Sequence, residues 1–413
     1  MLDRNELLNI FNPSSLLNCP KLIKGISIDS RTIQPGELFI PIKGPKFDGH
    51  KYISEILKKG AAVLNVNDGI SALHKIAAYH RNKFNLPIIG ITGSVGKTTT
   101  KDMLASILSQ KALTLKNEEN FNNEIGVPLT LLKLTKRHRY AVVEMAMQGL
   151  GEIDLLAKLV RPHIAIVTNI GESHLEFLKT KANVAKAKAE IFRYLTKRDF
   201  AVINQDDEYF ENLLSNVYCP LSNVWNFGIL EKADITPKDL SGITLPLPGE
   251  HIIYDALAAI AAAKILKFSK NQIKKGLETF KSSSKRMDIF DHPNGFRIIN
   301  DTYNANPQSM EAALKVLSIH QARKIAVLGD MFELGKAAIP AHKRIGIIAR
   351  KLGLDLIISV GKLSKHIKAD QHFNNNQAAI KALKKIVRSG DAVLIKGSRG
   401  MRMEEIVAGL TSC

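Results

Sequence analysis

The sequence predicts an α/β protein of three domains, and three observations lead to that prediction. Its 413 residues allow two or three domains of roughly 150 residues each. Apolar segments of strand length alternate with helical segments along most of the chain, a pattern typical of parallel sheets covered by helices. A short polar segment near residue 283 divides the alternating region into two. We expect a small mixed α/β N-terminal domain at 1–82, a central P-loop ATPase-type parallel-sheet domain at 83–283 and a C-terminal Rossmann-like domain at 284–413.

Each domain is predicted from its own apolar segments. In the first domain, strands are predicted at 25–28, 37–42 and 61–65, and a helix at 53–59. In the second, strands are predicted at 87–91, 140–144, 163–169 and 200–204, and helices at 98–110, 184–195 and 254–266. In the third, strands are predicted at 297–300, 324–329, 355–360 and 391–396. The polar segment 281–285 has no apolar pattern and is predicted to be a hinge.

Composition and charge restrict the classes of protein that the chain can be. Hydrophobic residues make up 45% and charged residues 23%, which excludes collagen-like and wholly disordered chains. The net charge of +19 predicts anionic ligands: nucleic acid, anionic lipid or phosphorylated metabolites. Cys19, Cys219 and Cys413 lack disulfide or metal spacing, which favours a reducing compartment. Because we find neither a signal segment nor an apolar run of about 18 residues, we expect a cytoplasmic protein without membrane insertion.

A phosphate-binding loop follows the strand predicted at 87–91. The chain then reads TGSVGKTTT over 92–100 and enters a helix. Glycines let backbone amides surround a phosphate, and the helix N-terminus favours negative charge. Lys97 is placed to pair with the β- and γ-phosphates, and Thr98 to offer its hydroxyl to Mg²⁺. Although Ile91 replaces the first glycine of the general motif, the segment predicts binding of ATP or GTP.

Two strand ends and one helix add candidate metal ligands. Glu144 ends one predicted strand and His174 follows the next, at the sheet edge where open α/β sheets bind ligands. Both are candidates either to bind Mg²⁺ directly or to orient the groups that bind it. Lys188 lies on the apolar stripe of the helix at 184–195, where a lysine is costly unless paired or neutralised. Either its stem carries the amine out to water, or the amine is desolvated, easily deprotonated and open to chemical modification.

Together these motifs resemble the signature of the Mur ligases, the ATP-dependent amino-acid ligases of peptidoglycan precursor synthesis. The matching segments are 93–98, Glu144, His174 and 187–192. In that family the loop begins T-G-x-x-G-K, which accounts for the missing early glycine. The resemblance implies catalytic roles for Lys97, Lys188, Glu144 and His174. It also implies two Mg²⁺ ions near Thr98, Glu144, His174 and Lys188, with Lys188 carbamylated by CO₂.

Further segments resemble the branch of the family that joins D-alanyl-D-alanine to UDP-N-acetylmuramoyl-tripeptide through an acyl phosphate. These segments are 120–128, 300–307, 324–335 and 396–400, with a UDP-sugar-binding pattern at 28–31, 35–39 and 48–50. The implied ATP-binding residues are Gly93, Ser94, Val95, Gly96, Lys97, Thr98, Thr99, Asn304 and Asp255. The implied substrate-binding residues are Ser30, Arg31, Asn122, Asn123, Lys396, Ser398 and Arg399. The resemblance implies an ADP-forming ligase that acts on small molecules, without nucleic acid, as a monomer.

The chain departs from the family pattern where the nucleotide base is expected. Ile252 and Asp255 occupy the two asparagine positions of G-x-H-N-x-x-N, so adenine recognition is expected to be altered or weaker. Asn306 either contacts a ligand or caps the helix that Pro307 begins. Two alternatives remain: another amino-acid ligase of the Mur or folylpolyglutamate type, and a nucleic-acid-dependent P-loop NTPase. The second requires basic patches interleaved with aromatics, whereas aromatic residues make up only 6% of the chain and show no such pattern.

Overall fold

A computed structural model describes residues 2–118, 120–230, 232–282 and 285–412. The N-terminal unit has short strands β1 (Leu2–Asp3), β2 (Leu16–Leu17), β3 (Leu22–Ile23), β4 (Ile26–Ser27), β5 (Leu38–Phe39), β6 (Lys43–Gly44), β7 (Phe47–Asp48) and β8 (Ala62–Leu64). Its helices are α1 (Arg4–Leu8), α2 (Ile53–Lys58) and α3 (Gly69–Asn82). The main sheet has the order β2-β8-β5-β4, in which β4, β5 and β8 are parallel and β2 is antiparallel to β8.

The central unit is a parallel sheet of six strands covered by helices on both faces. Its strands are β9 (Ile88–Thr92), β10 (Thr114–Lys116), β11 (Tyr140–Glu144), β12 (Ile164–Val167), β13 (Phe200–Asn204) and β14 (Val224–Phe227), in the order β10-β11-β9-β12-β13-β14. Its helices are α4 (Lys97–Ser109), α5 (Gly126–Leu131), α6 (Glu152–Val160), α7 (Leu175–Leu178), α8 (Lys181–Ala189), α9 (Phe210–Leu214), α10 (Glu250–Ile265) and α11 (Lys270–Thr279). The central strands are mainly apolar because both of their faces are buried.

The C-terminal unit has a second sheet of six strands. They are β15 (Asp288–Asp291), β16 (Arg297–Asp301), β17 (Arg323–Gly329), β18 (Leu356–Val360), β19 (Gln371–Phe373) and β20 (Asp391–Lys396), in the order β15-β16-β20-β17-β18-β19. Its helices are α12 (Pro307–Ser318), α13 (Ala338–Lys351), α14 (Asn376–Ile386) and α15 (Glu404–Thr411). β15 is antiparallel to β16, and the other neighbours are parallel. The predicted α/β class, with three sheet-containing units, is confirmed.

The helix predicted at 184–195 was wrong at its C-terminal end. The α-helix stops at Ala189 and a 3₁₀ turn follows at Glu190–Phe192. The Glu190 carboxylate accepts hydrogen bonds from the amides of Gly151 and Asp154, so it is fixed to the start of α6. A tighter final turn keeps Glu190 in that position.

Some predictions fall on residues outside the described chain. Ser283 and Ser284 of the predicted hinge, and Cys413, lie outside the described residues. Cys19 and Cys219 are free thiols. Among the described helices, none combines the length and apolar composition needed to cross a membrane.

Candidate active site

A cleft of about 230 Å³ lies where the carboxyl ends of the central strands face the C-terminal unit. We call it the central cleft. Its lining from the central unit includes residues 94–99, Asn122, Glu144, His174, His251, Ile252 and Asp255. Its lining from the C-terminal unit includes Arg286, Asp301, Tyr303, Asn304, Asn306 and Lys396. β9 lies between β11 and β12 in the sheet, so the segments that follow these three strands converge on the same edge.

The phosphate loop joins β9 to α4 in a backbone conformation that requires glycine at two positions. Gly93 has φ +154° and Gly96 has φ +86°. A Cβ atom at Gly93 would lie 1.8 Å from Thr168 Oγ1, and one at Gly96 would lie 2.0 Å from Asp255 Oδ1. The Lys97 amine donates to the carbonyl of Gly93 at 2.8 Å, so it already lies over the loop. The loop therefore has the shape and the charge that phosphate binding requires.

Glu144 is held at the end of β11 by four neighbouring side chains. The Thr98 hydroxyl donates to Glu144 Oε2 at 2.7 Å, and Asn122 Nδ2 donates to Oε1 at 2.8 Å. The Lys101 amine lies 3.8 Å from Oε2 and is buried, 1% exposed. Asn117 donates to the Glu144 carbonyl and accepts from its amide, both at 2.9 Å. The structure thus brings the predicted Thr98, Glu144 and Asn122 together.

His174 precedes α7 and faces a carboxylate from the C-terminal unit. Its Nδ1 lies 2.6 Å from Glu333 Oε2, an ion-pair distance without hydrogen-bond alignment. The nearby imidazole lowers the pKa of Glu333 below its usual range. His174 has φ +55° and Glu333 has φ +60°, both unusual for residues other than glycine. Two strained residues from different units therefore meet at this edge of the cleft.

Lys188 lies beneath the central cleft, outside its lining. It is 2% exposed, whereas Lys186 on the same helix is exposed. No hydrogen bond or ion pair joins the Lys188 amine to the residues that the structure describes. Burial, and then the positive charge of Lys97, lower the pKa of Lys188 well below its usual value. The near-complete burial of this side chain favours a desolvated amine over a stem that carries the amine out to water.

The expected base-binding end of the cleft is formed by α10 and the start of the C-terminal unit. Asp255 is 4% exposed and accepts a hydrogen bond from Thr100 Oγ1 at 3.4 Å. Burial raises the pKa of Asp255 well above the usual range, and it lowers the pKa of His251 to about 4. The Arg286 guanidinium lies 3.8 Å from the centre of the Tyr303 ring. Arg286 Nε is buried without a hydrogen-bond partner among the described residues, so this group is available to a ligand.

Replacing Asp255 with asparagine is expected to raise the melting temperature by a few degrees at pH 8. A carboxyl whose pKa is raised on folding is fully stabilising only below its unfolded pKa, about 3.9. That stability is lost as the pH rises through the folded pKa, and an amide does not titrate. Thermal melts from pH 4 to pH 8 should show the gain of Asp255→Asn shrinking toward pH 4. Asp291→Asn is the control, because Arg297 lowers the pKa of exposed Asp291, and an equal rise there would contradict the explanation.

Three of the predicted substrate residues lie at the end of β20 or on the loop that follows it, and their side chains have partners within the C-terminal unit. The Lys396 amine lies 2.5 Å from Asp301 Oδ2 and donates to the Asn304 carbonyl at 2.9 Å. The Ser398 hydroxyl accepts from the amide of Phe332 and donates to the carbonyl of Ala305. These contacts hold the loops after β16, β17 and β20 together.

Arg399 and two further predicted residues lie on the loops of the C-terminal unit that face the central unit. Arg399 pairs with Glu404 at 2.8 Å, and its guanidinium remains largely exposed. Asn304 lines the central cleft. The side chain of Asn306 accepts from the amide of Ser309, so Asn306 is the helix cap of α12. Of the two readings of Asn306, capping is the one that the structure displays.

The other predicted substrate residues lie outside the central-cleft lining. Ser30 and Arg31 belong to the N-terminal unit, where Arg31 forms two hydrogen bonds with the Asp29 carboxylate. Asn123 accepts from the amides of Ile125 and Gly126 at the start of α5. These residues are not brought together with the phosphate loop.

Sequence reasoning did not single out five residues at or beside the cleft. They are Lys101, Asn117, Arg286, Tyr303 and Glu333. Lys101 had a visible signal, since it lies one helical turn after Lys97 on a helix that is otherwise apolar at that face. The Glu333 contact joins two different units, and Arg286 lies over Tyr303 of its own unit at a distance along the chain that no local pattern spans.

The donor atoms present fit a magnesium ion better than a transition metal. Thr98 and Glu144 offer oxygen ligands beside the phosphate loop, and Mg²⁺ usually takes few protein ligands with phosphate and water as the others. Within the described ranges, no cluster of three or more His, Cys, Asp or Glu side chains is arranged to hold a metal. Among the described residues, Thr98 and Glu144 therefore offer ligands for one such ion beside the phosphate loop.

Comparison with known proteins identifies relatives for all three units. Three family models match: "Mur ligase family, catalytic domain" at 22–91, "Mur ligase middle domain" at 91–263 and "Mur ligase, glutamate ligase domain" at 285–399. The UDP-N-acetylmuramoyl-tripeptide–D-alanyl-D-alanine ligase of Bacillus subtilis is 35% identical, with 94% of this chain and 93% of that protein covered. The same ligase of Escherichia coli is 34% identical, with 98% and 97% covered.

Solved structures agree with the sequence comparison. A crystal structure of MurF from Acinetobacter baumannii has a TM-score of 0.88 at 33% identity and covers 95% of each chain. MurF ligase from Thermotoga maritima, solved in complex with ADP, has a TM-score of 0.85 at 27% identity, with 94% of this chain and 97% of that one covered. Because the matches extend over nearly the whole chain in sequence and in fold, this protein belongs to the Mur ligase family.

Proposed function

We propose that the protein is an ATP-dependent, ADP-forming ligase that joins D-alanyl-D-alanine to UDP-N-acetylmuramoyl-tripeptide in peptidoglycan precursor synthesis. The relatives that match over nearly full length carry this activity in their names. The observation that carries the proposal is the cleft itself. It places the phosphate loop and the Thr98–Glu144 contact of one unit opposite Arg286, Asn304 and Lys396 of another.

The proposed reaction has two steps. A terminal carboxylate oxygen of the tripeptide attacks the γ-phosphorus of ATP, forming an acyl phosphate as the bond to ADP breaks. The dipeptide amine then attacks the acyl carbon, and phosphate leaves from the tetrahedral intermediate as the amine loses its proton. Repulsion between carboxylate and triphosphate is the main obstacle, and the Lys97 amine reduces it from its position over the phosphate loop. Closing the C-terminal unit over the cleft limits hydrolysis of the acyl phosphate.

Magnesium is the proposed cofactor, with two ions bound. Thr98 and Glu144 would hold the first, and His174 and a carbamylated Lys188 would contribute to the second. When bound, Mg²⁺ supplies charge neutralisation to the transferring phosphoryl group. Lys101 and Asn122 keep the Glu144 carboxylate oriented toward Thr98.

Carbamylation of Lys188 is supported by the state of its amine. A neutral amine is the form that attacks CO₂, and the lowered pKa of Lys188 favours that form. The amine nitrogen forms a bond to the carbon of CO₂ and releases a proton, giving a carbamate anion. The product replaces an unpaired buried amine with an anion close to Lys97, which removes the repulsion between the two lysines.

We propose that the three segments of the chain, 1–82, 83–283 and 284–413, bind different parts of the substrates. The first segment binds the UDP-sugar, with contacts from Ser30 and Arg31. The second binds ATP through residues 93–99 and Asp255. The third supplies Asn304 to the nucleotide and Lys396, Ser398 and Arg399 to the substrates, while Asn122 and Asn123 contact the substrate from the central segment. The protein is proposed to act as a cytoplasmic monomer without nucleic acid.

Product analysis tests the proposal directly. Purified protein with MgATP, UDP-N-acetylmuramoyl-tripeptide and D-alanyl-D-alanine should form ADP, phosphate and the pentapeptide product in equal amounts. Omitting the dipeptide should abolish net product. Product formed with a single diamino acid acceptor but not with the dipeptide would assign a different ligase activity. ATP hydrolysis that depends on DNA or RNA would instead indicate the nucleic-acid-dependent class.

A further inference from the structure

Glu333 is the residue through which the C-terminal unit contacts the catalytic edge of the central unit. Its Oε2 lies 2.6 Å from His174 Nδ1, and its Oε1 accepts from Gln148 Nε2 at 3.3 Å. Its backbone carbonyl accepts from the amide of Glu176 at 3.0 Å. One residue thus binds three points of the neighbouring unit, two of them within α7 or directly before it.

The backbone around Glu333 is adapted to this contact. Glu333 has φ +60°, which costs energy in a residue with a side chain. The next turn brings Gly335 so close that a Cβ there would lie 3.1 Å from the Glu176 Cα. A strained carboxylate directed at a strained histidine persists only where the surrounding structure holds both.

We infer that Glu333 is a positioning residue that orients His174 only when the C-terminal unit is closed over the cleft. The negative charge of a carboxylate 2.6 Å from Nδ1 favours the proton on that nitrogen and leaves the lone pair on Nε2. The His174 imidazole therefore has the orientation that its proposed role requires only in the closed arrangement, which is also the arrangement that excludes water. The inference rests on the proposed function of His174. It gives a reason why the ligation reaction takes place only after the C-terminal unit has closed over the cleft.

A second contact between the units provides a matched control. Arg344 on α13 pairs with Glu172, with guanidinium Nη1 3.2 Å from Glu172 Oε1. This pair joins the same two units two residues before His174, but Arg344 does not touch the histidine. Loss of the Arg344 pair weakens closure alone, whereas loss of the Glu333 carboxylate weakens closure and releases the imidazole.

The test compares Glu333→Gln, Glu333→Asp and Arg344→Gln in the full chain. We expect Glu333→Gln to lower kcat about tenfold or more, with the KM for ATP within about twofold of the wild type. Glu333→Asp should recover part of the loss because it keeps the charge. Arg344→Gln should stay within about threefold, since a partly exposed ion pair contributes little.

A spectroscopic measurement separates positioning from general loosening. The ring nitrogen signals of ¹⁵N-histidine-labelled protein report the tautomer, and the His174 signals are those that disappear in His174→Gln. In the wild type Nδ1 should carry the proton, and in Glu333→Gln the two tautomers should mix. An unchanged tautomer, or an equal loss of kcat in Arg344→Gln, would overturn the inference. The tautomer measurement needs no turnover, so failure of the wild type to form product would overturn the proposed function separately.

Discussion

Lys188→Ala should lower the rate of ligation by about 10³-fold, the scale seen when a preorganised electrostatic group is removed. The amine is buried, unpaired among the described residues and shifted toward the neutral form, so its contribution to folding through charge is small. We expect its contribution to catalysis to come from the carbamate anion that it carries. Alanine leaves a space beneath the cleft into which a small carboxylate fits. Acetate or formate should therefore restore part of the activity, measured as ADP and pentapeptide formed per enzyme.

The adjacent exposed lysine provides the control for this prediction. Lys186 lies on the same helix but faces solvent. Lys186→Ala should retain activity within about twofold, because surface substitutions away from a site rarely matter. An active Lys188→Ala enzyme would remove the carbamate proposal. Loss of activity without any return on adding carboxylates would show that Lys188 acts through its amine or its packing instead.

The parts of the fold that the sequence predicts are those with a continuous local pattern. Interior strands such as β11 and β20 are apolar except at their ends because both faces are covered, and their bounds were predicted to the residue. Within the two large sheets, the strands that escaped prediction are the edge strands β10, β14, β15 and β19. An edge strand is short and partly exposed, so its apolar pattern is interrupted.

The same distinction applies to the site. The phosphate loop and buried Lys188 follow from local spacing, and Glu144 follows from the rule that strand ends carry ligands. The Glu333–His174 contact joins two units that each contain their own sheet, and no short sequence pattern predicts how two such units pack against each other. Arg286 is similar, because its position over Tyr303 depends on how the segment after the predicted hinge packs.

Lys97 and Lys101 lie one turn apart on α4. We expect replacement of Lys97 to affect mainly activity and replacement of Lys101 to affect mainly stability. Among the described residues, the Lys97 amine donates to the Gly93 carbonyl within the loop and to no other group. The Lys101 amine donates to the Asn117 carbonyl at 3.0 Å and lies 3.7 Å from Asp102 and 3.8 Å from Glu144. Methionine is a suitable replacement for each lysine because it keeps most of the length of the side chain and removes the positive charge.

Lys97→Met should lower kcat by about 10³-fold, because the charge that offsets repulsion between carboxylate and triphosphate is lost. Its folded stability should change by less than about 1 kcal/mol, the usual value of one hydrogen bond. Lys101→Met should instead destabilise the protein by about 3 kcal/mol or more, since the buried Glu144 carboxylate loses a neighbouring cation and the Asn117 carbonyl loses its donor. Urea unfolding and initial rates measured on both variants test the contrast. A stable but inactive Lys101→Met enzyme would contradict the structural role of Lys101, because losing a buried cation that stabilises the fold should lower the free energy of unfolding.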